Sequence, residues 1–316
     1  MSVPLLLAPM AELSHRALRE LIEIFGGCDS YFSEMISAGA LLAGGPFEKW
    51  YIDTGPRPEK CVFQVVGSDF EQISGAAAIL DKLDCAGIDI NMGCSAPLIK
   101  KTGAGAAWMF SIDRAGELIS RVRPKVKRRL SVKLRTGFKD DFEYLVRFCS
   151  RLEAEGVELI TLHPRTVTEK FKRLARWEYV GELRRELKIP VAGNGDIASA
   201  VELVRRAAGP CDAVMVGRAA VRQPWIFAES RKLEESQSLS LGSGSAPNIE
   251  ETGLCFLELL ARYQPPEFHI SRARRFFGFF CDNLKFSNYL KNRLNREETL
   301  SSIDKIWRRY FMENNS

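Results

Sequence analysis

The sequence predicts an α/β fold: a (β/α)8 barrel, the TIM-barrel architecture, followed by a small C-terminal helical bundle. Three observations predict it. Short β-rich runs alternate with helix-like segments along the first 235 residues, functional-looking side chains follow each run, and the composition changes beyond Glu229. Strict alternation requires crossover connections, and crossovers make the sheet parallel. Eight repeats in this length suit one closed barrel, whereas an open doubly wound sheet more often has fewer strands.

The expected strands are residues 5–8, 31–33, 61–65, 87–90, 131–134, 158–162, 189–192 and 213–216. Between them, helical patterns cover 15–25, 71–83, 114–122, 142–155, 178–187 and 198–207. His15 opens the first helix and is read as a surface or capping residue.

A parallel barrel places its chemistry after each strand. Pro9 and Met10 follow the first run, Glu34 the second, Gln64 ends the third, and Asn91 and Cys94 follow the fourth. Lys133 and Arg135 end the fifth, His163 and Arg165 the sixth, Asn194 and Asp196 the seventh, Gly217 and Arg218 the eighth. A structural role explains any one of them. A shared rim explains them all.

The loops after runs seven and eight are glycine-bearing turns into helices, a setting where backbone N–H groups cradle a phosphate and Arg218 adds charge. The stretch Gly193-Asn-Gly-Asp-Ile-Ala198 formally matches a dinucleotide fingerprint, but that motif belongs in the first βαβ unit and here it sits in the seventh. A mononucleotide such as FMN fits better. Lys133 is placed to stabilise the carbonyl edge of a reduced flavin, Gln64 to bond the pyrimidine edge, and Ala8, Pro9 and Met10 to form an apolar floor. His163, Asn194, Gly195, Asp196, Gly217 and Arg218 complete the expected cofactor set. The structural alternative for Lys133 is a buried pair with Asp89 or Glu34.

The 316 residues, 46% of them hydrophobic, exceed one small domain and divide into residues 1–235, a linker at 236–249 and a helical domain at 250–316. Eight scattered cysteines without a Cys-x-x-Cys pair point to reduced thiols in a cytoplasm. The first ten residues lack a basic n-region and read as a strand, and no segment is long and apolar enough to span a bilayer. Three histidines in no ligand spacing argue against a metal centre, and no Gly-x-Ser-x-Gly elbow supports a serine hydrolase. Cys94 lies in Asn91-Met-Gly-Cys94, ahead of Lys100 and Lys101 and the Gly103-Ala-Gly105 turn, a mobile and electropositive setting for a proton-exchanging thiol.

Asn-x-Gly-Cys followed by Lys-x-Gly-Ala-Gly-Ala resembles the active-site loop of the tRNA-dihydrouridine synthases. The resemblance extends to Leu7-Ala-Pro-Met10, Ser33-Glu-Met-Ile-Ser-Ala38, Gln64, Lys133-Leu-Arg-Thr-Gly137, His163-Pro-Arg-Thr166, Asn194-Gly-Asp-Ile197 and Asp212-Ala-Val-Met-Val-Gly-Arg218, in the family's order. Ser95 stands where the family usually has Pro, and Pro164 where it commonly has Gly. The resemblance implies an FMN enzyme, with NADPH as reductant, that reduces a uridine extruded from tRNA. It further implies hydride transfer to uracil C6, a proton from Cys94 to C5, Asn91 holding the ring, and Arg165 or Lys133 polarising it.

Beyond the barrel, helical patterns cover 251–263, 270–284 and 297–310. Between Arg262 and Arg309, eleven basic residues face five acidic ones, a surplus of six against a whole-chain net of +5. Ser271-Arg-Ala-Arg-Arg-Phe-Phe-Gly278 resembles the family's tRNA-gripping helix, which implies phosphate contacts from Arg272, Arg274 and Arg275. Phe276 and Phe277 are assigned to core packing rather than base stacking. A monomer that binds tRNA, with no membrane and no metal partner, is the expected state. The rival readings are an FMN barrel acting on a free pyrimidine, as dihydroorotate dehydrogenases do, and a non-catalytic RNA-binding barrel.

Overall fold

A computed structural model describes residues 3–169, 172–236 and 247–314. Its strands are β1 (Leu5–Leu7), β2 (Ser30–Ser37), β3 (Cys61–Val66), β4 (Gly87–Met92), β5 (Arg129–Arg135), β6 (Leu159–His163), β7 (Val191–Asn194) and β8 (Ala213–Val216). All are parallel, they follow one another around the sheet in sequence order, and β8 closes back onto β1. This is the expected barrel.

Several strands run further than their apolar cores. Glu34, Asn91, Arg135, His163 and Asn194 are strand residues, because a closed sheet hides polar side chains in its interior while their backbones stay in the ladder. The seventh strand slips from 189–192 to Val191–Asn194, past Pro190, whose missing N–H cannot join a ladder.

Alternation with a period of two sorts the strand side chains into two layers. Leu6, Phe32, Val62, Leu159, Ala192, Ala213 and Met215 pack together inside the barrel. Their neighbours Leu5, Leu7, Phe63, Ile88, Val132 and Ile160 face the helices. One step further towards the carboxyl ends, the interior turns polar. Gln64, Asp89 and Ser131 are register partners, and both Gln64 Nε2 (2.7 Å) and Ser131 Oγ (2.6 Å) donate to the Asp89 carboxylate. Burial pushes the Asp89 carboxyl up to about 6, against the pull of those two donors and Lys133.

The barrel is wrapped by α1 (Arg16–Ile24), α2 (Ala38–Ala43), α3 (Glu48–Tyr51), α4 (Phe70–Leu80), α5 (Pro97–Lys101) and α6 (Ile112–Val122). The wrapping continues with α7 (Phe142–Ala154), α8 (Glu178–Glu186), α9 (Ala200–Ala207), α10 (Arg218–Arg222) and α11 (Ile226–Glu235). Asp69, Ser111, Asp141 and Ser199 each accept an N–H from the first turn of their helix, which fixes where α4, α6, α7 and α9 begin.

The C-terminal helices are α12 (Ile249–Tyr263), α13 (Pro266–Phe280), α14 (Ser287–Leu294) and α15 (Leu300–Asn314). Helix α13 starts four residues before the expected 270 because Pro266 occupies its first turn, where a missing N–H costs nothing. The expected linker at 236–249 lies for residues 237–246 outside the described residues. Phe256, Phe276, Phe277, Phe280 and Trp307 form the aromatic heart of the bundle, with Phe256 and Phe276 stacked at 3.7 Å. Phe276 and Phe277 are core residues, as expected.

This bundle is seated on the barrel and shares its hydrophobic core. His15 is therefore not a surface residue: it is buried beneath α12, 6.1 Å from the Phe256 ring. Arg272 is likewise buried, at 1% exposure, and its Nη2 meets Glu34 Oε2 at 2.8 Å. Its role as a phosphate contact is overturned, since solvent does not reach it. Glu34 also accepts the Glu12 N–H, so one carboxylate joins the loop after β1, strand β2 and helix α13.

Removing one member of such a buried pair strands the other. Arg272→Ala and Glu34→Ala are each expected to lose about 3–5 kcal/mol of unfolding free energy. The double variant is expected to lose less than the sum, because neither charge is then left alone. Urea denaturation of the three proteins checks this, and simple additivity would contradict it.

Candidate active site

A cleft of about 660 Å³ opens at the carboxyl ends of the strands. Ala8, Pro9, Met10 and Met215 give it an apolar side, and Lys133, His163, Arg165 and Asn194 a polar one. Gly195, Asp196, Gly217 and Arg218, from the loops after β7 and β8, also line it. Gln64 does not. Its amide lies one layer deeper, donating to Asp89 and accepting from Asn91 Nδ2 at 2.8 Å.

Lys133 Nζ donates to Asn194 Oδ1 at 3.0 Å, and Asn194 Nδ2 donates to Met215 O at 2.7 Å, which fixes the amide orientation. Burial, assisted by Arg135, lowers Lys133 to about 8. The alternative pairings are not formed: the Asp89 oxygens are taken by Gln64 and Ser131, and those of Glu34 by Arg272 and the Glu12 N–H. Lys133 thus keeps a cationic head at the cleft, held by a neutral amide.

His163 is driven down to about 2, first by burial and then by Lys133, Arg135, Arg165 and Arg218. It is neutral at any physiological pH. Arg165 Nη1 lies 3.0 Å from His163 Nε2; a guanidinium only donates, so Nε2 accepts and the ring proton sits on Nδ1. Arg165 also binds the Asp196 carboxylate and the Arg173 carbonyl. Asp196 accepts the Ala175 N–H as well, at 2.7 Å. Arg165 and Asp196 therefore lock two loops together at the cleft wall. Gly195, at φ +120°, admits this geometry, for a Cβ there would stand 2.9 Å from His163 Cδ2.

The cysteine loop is held from below. Asn91 Oδ1 accepts from Gly93 N (3.1 Å) and Cys94 N (2.9 Å), Arg135 Nε donates to Gly93 O at 3.1 Å, and Ala106 N donates to Cys94 O at 2.9 Å. Asn91 thus positions the loop through its amide oxygen and one hydrogen of Nδ2. Cys94 is partly exposed on the rim beside the cleft, not within its lining.

Sequence reasoning missed Glu202, Arg222, Leu174, Phe279 and Asp282, all of which line the cleft. Arg222 was legible, lying four residues beyond Arg218 on one helical face. Phe279 and Asp282 arrive only because the C-terminal helices dock there. Of the proposed tRNA-gripping arginines, Arg274 is half-buried and donates to Glu297 O at 2.8 Å, and Arg275 is exposed with Nε 3.1 Å from Glu12 Oε2. Among the described residues no cluster of His, Cys, Asp and Glu is arranged to hold a metal.

A family model described as "Dihydrouridine synthase (Dus)" matches residues 6–300. The chain belongs to the dihydrouridine synthase family. A probable tRNA-dihydrouridine synthase of Aquifex aeolicus is 35% identical over 244 residues, 75% of this chain and 74% of that one. The tRNA-dihydrouridine synthase B of Xanthomonas campestris is 28% identical over 309 residues, covering 97% and 92%. Among solved structures, a 2-naphthoyl-CoA reductase shares the fold at TM-score 0.55 and 11% identity, over 75% of this chain and 50% of that one. As a dihydrouridine synthase, the protein is a flavin-dependent oxidoreductase.

Six of the eight cysteines are buried, and only Cys94 and Cys255 are partly exposed. Two thiols are expected to react with a bulky reagent in the native protein. Asn91→Ala is expected to free the loop and speed labelling at Cys94, leaving Cys255 unchanged. Peptide mass spectrometry of the labelled protein reads both rates.

Proposed function

We propose that the protein binds FMN in this cleft and, with NADPH as electron donor, reduces the C5=C6 bond of a uridine in tRNA. The observation that carries this reading is the pairing of an apolar floor with a single cationic edge. Ala8, Met10 and Met215 present a surface suited to one face of an isoalloxazine ring, and Lys133 at the same cleft would stabilise the negative charge that a reduced flavin carries. The backbone of Gly195 and Gly217, with Arg218, suits one terminal phosphate. Bound and reduced, FMN supplies the hydride for uracil C6.

The chain's own groups supply the rest. Cys94 holds a proton on Sγ for C5, where charge develops because the C5=C6 bond is conjugated with the C4 carbonyl. The neutral His163, with Nδ1 protonated and Nε2 occupied by Arg165, is a hydrogen-bonding group rather than an acid. Gln64 acts through Asn91, which positions the Cys94 loop. Arg262, Arg275, Lys305, Arg308 and Arg309 on the C-terminal helices, and Arg296 in the turn between α14 and α15, are exposed and fit phosphate contacts with tRNA, which predicts affinity falling steeply with salt. No described helix is long and apolar enough to cross a membrane. The tRNA substrate supports a cytoplasmic setting. Family membership favours this reading over reduction of a free pyrimidine or a barrel without catalysis.

Cys94→Ala is expected to keep bound yellow flavin and tRNA affinity while losing most turnover, measured as dihydrouridine in digested tRNA. Unchanged turnover would remove Cys94 from the acid role. Lys133 is protonated below about 8 and loses its charge as pH rises through that value. Flavin reduction by NADPH is therefore expected to slow above about pH 8, and Lys133→Met to lack that inflection at a uniformly lower rate.

A further inference from the structure

The loops after β4 and β5 carry an aromatic feature that the chemistry described so far does not use. Phe110 and Phe138 are stacked, with ring centroids 3.7 Å apart and planes 12° from parallel. Phe110 is 66% exposed. A phenyl ring left in water is ordinarily the mark of a mobile loop, but here both flanks are fixed. Trp108 is buried and its Nε1 donates to Gly67 O at 2.9 Å; Met109 is buried and its carbonyl accepts the Tyr144 hydroxyl at 2.8 Å. Ser111 caps α6 immediately afterwards. Three anchors thus hold Phe110 outward. On the facing loop, Gly137 at φ +118° makes the turn that presents Phe138.

The surroundings are cationic and apolar together. Lys100 and Lys101 close α5 and Lys139 follows Phe138, all exposed, and none forms an ion pair among the described residues. Leu98 on α5 is exposed too, at 80%. The acids close by in sequence are engaged: Asp113 with Arg151 at 3.6 Å, Asp140 with Arg176 at 3.2 Å and Asp141 in capping α7. These loops leave the barrel at the same end as the Cys94 loop, and Phe110 lies on the connection that Cys94 begins. The helices carrying the other basic surface dock elsewhere, through α12 on α1 and α13 on α10.

We infer that the Phe110–Phe138 stack, with Lys100, Lys101 and Lys139, is a platform for an unpaired nucleobase next to the uridine being reduced. The inference rests on the tRNA reading above and extends it. A base that leaves its helix exposes the faces of its neighbours, and an aromatic ring restores that stacking without reading sequence. The lysines would meet the phosphates on either side. A protein partner is the competing occupant, and the charge favours RNA.

The test uses the full-length, flavin-loaded protein and a tRNA substrate transcript, with wild type, Phe110→Ala and Phe110→Trp. Phe110→Ala is expected to raise KM for tRNA roughly five- to hundredfold, while kcat, bound flavin and NADPH-driven flavin reduction without RNA stay unchanged. Phe110→Trp is expected to restore KM, and its added fluorescence, over that of wild type, to be quenched by tRNA. A Phe110→Ala protein with normal flavin content and unchanged KM would overturn the platform, as would an unquenched Trp at saturating tRNA even if the alanine variant failed to fold. A changed sedimentation coefficient with KM unaltered would reassign the face to protein contact and also overturn it. Should wild type make no dihydrouridine, the tRNA-reduction reading falls first; quenching by tRNA would still report on the platform.

Discussion

The amide of Asn91 joins the packed interior of the barrel to its reactive rim. One end donates to Gln64, which donates in turn to a buried Asp89; the other accepts two consecutive N–H groups of the Cys94 loop. The side chains of Gln64, Asp89 and Asn91 are buried, so each must find a protein partner or cost free energy on the scale of a lost hydrogen bond. The satisfied arrangement leaves little choice about where Gly93 and Cys94 stand. The position of the thiol is thus a consequence of how the polar layer inside the sheet is closed, and Arg135 repeats the restraint from the next strand.

Around the cleft, positive charges are crowded together: Arg135 and Arg165 are buried, Lys133 is half-buried and Arg218 is exposed. Lys133, Arg135, Arg165 and Arg218 all act on His163, which burial has already biased towards its neutral form. Such crowding is unfavourable, since one cation depresses the next, as Arg135 does to Lys133 and Arg165 does to Arg135. An anionic occupant relieves it. By the same argument, a ligand carrying negative charge would gain affinity from these groups.

Glu34 plays the corresponding part at the junction with the C-terminal helices. Burial raises its carboxyl and Arg272 opposes that rise, so the pair is stable only while the two parts remain docked. Because Glu34 also accepts the N–H of Glu12, the docking reaches the loop that begins with the apolar floor at Ala8, Pro9 and Met10. Phe279 and Asp282 then complete the cleft from the far side. The bundle is part of the mouth of the barrel, and its arrival shapes the cleft as much as the strands do.

The barrel was legible from the alternation of short apolar runs with helical segments, because parallel pairing allows no other connection. The rim residues were legible for the same reason: a period of two and a fixed strand polarity place Lys133, His163, Asn194 and Gly217 at one end of one interior. What the local pattern did not reveal was how these side chains spend their hydrogen bonds. Asn91, Arg165 and Asp196 look like ligand contacts in the sequence, and the fold also uses them to hold loops, since a buried polar atom takes the nearest partner that the closed sheet provides. The family resemblance implied a phosphate contact for Arg272, although its spacing of four from Phe276 already put it on the buried face of α13. Periodicity is a property of a short segment, so sequence determined the elements and the end of the barrel where chemistry belongs. Partner choice depends on segments hundreds of residues apart, as between Glu34 and Arg272, and only the folded chain decided it.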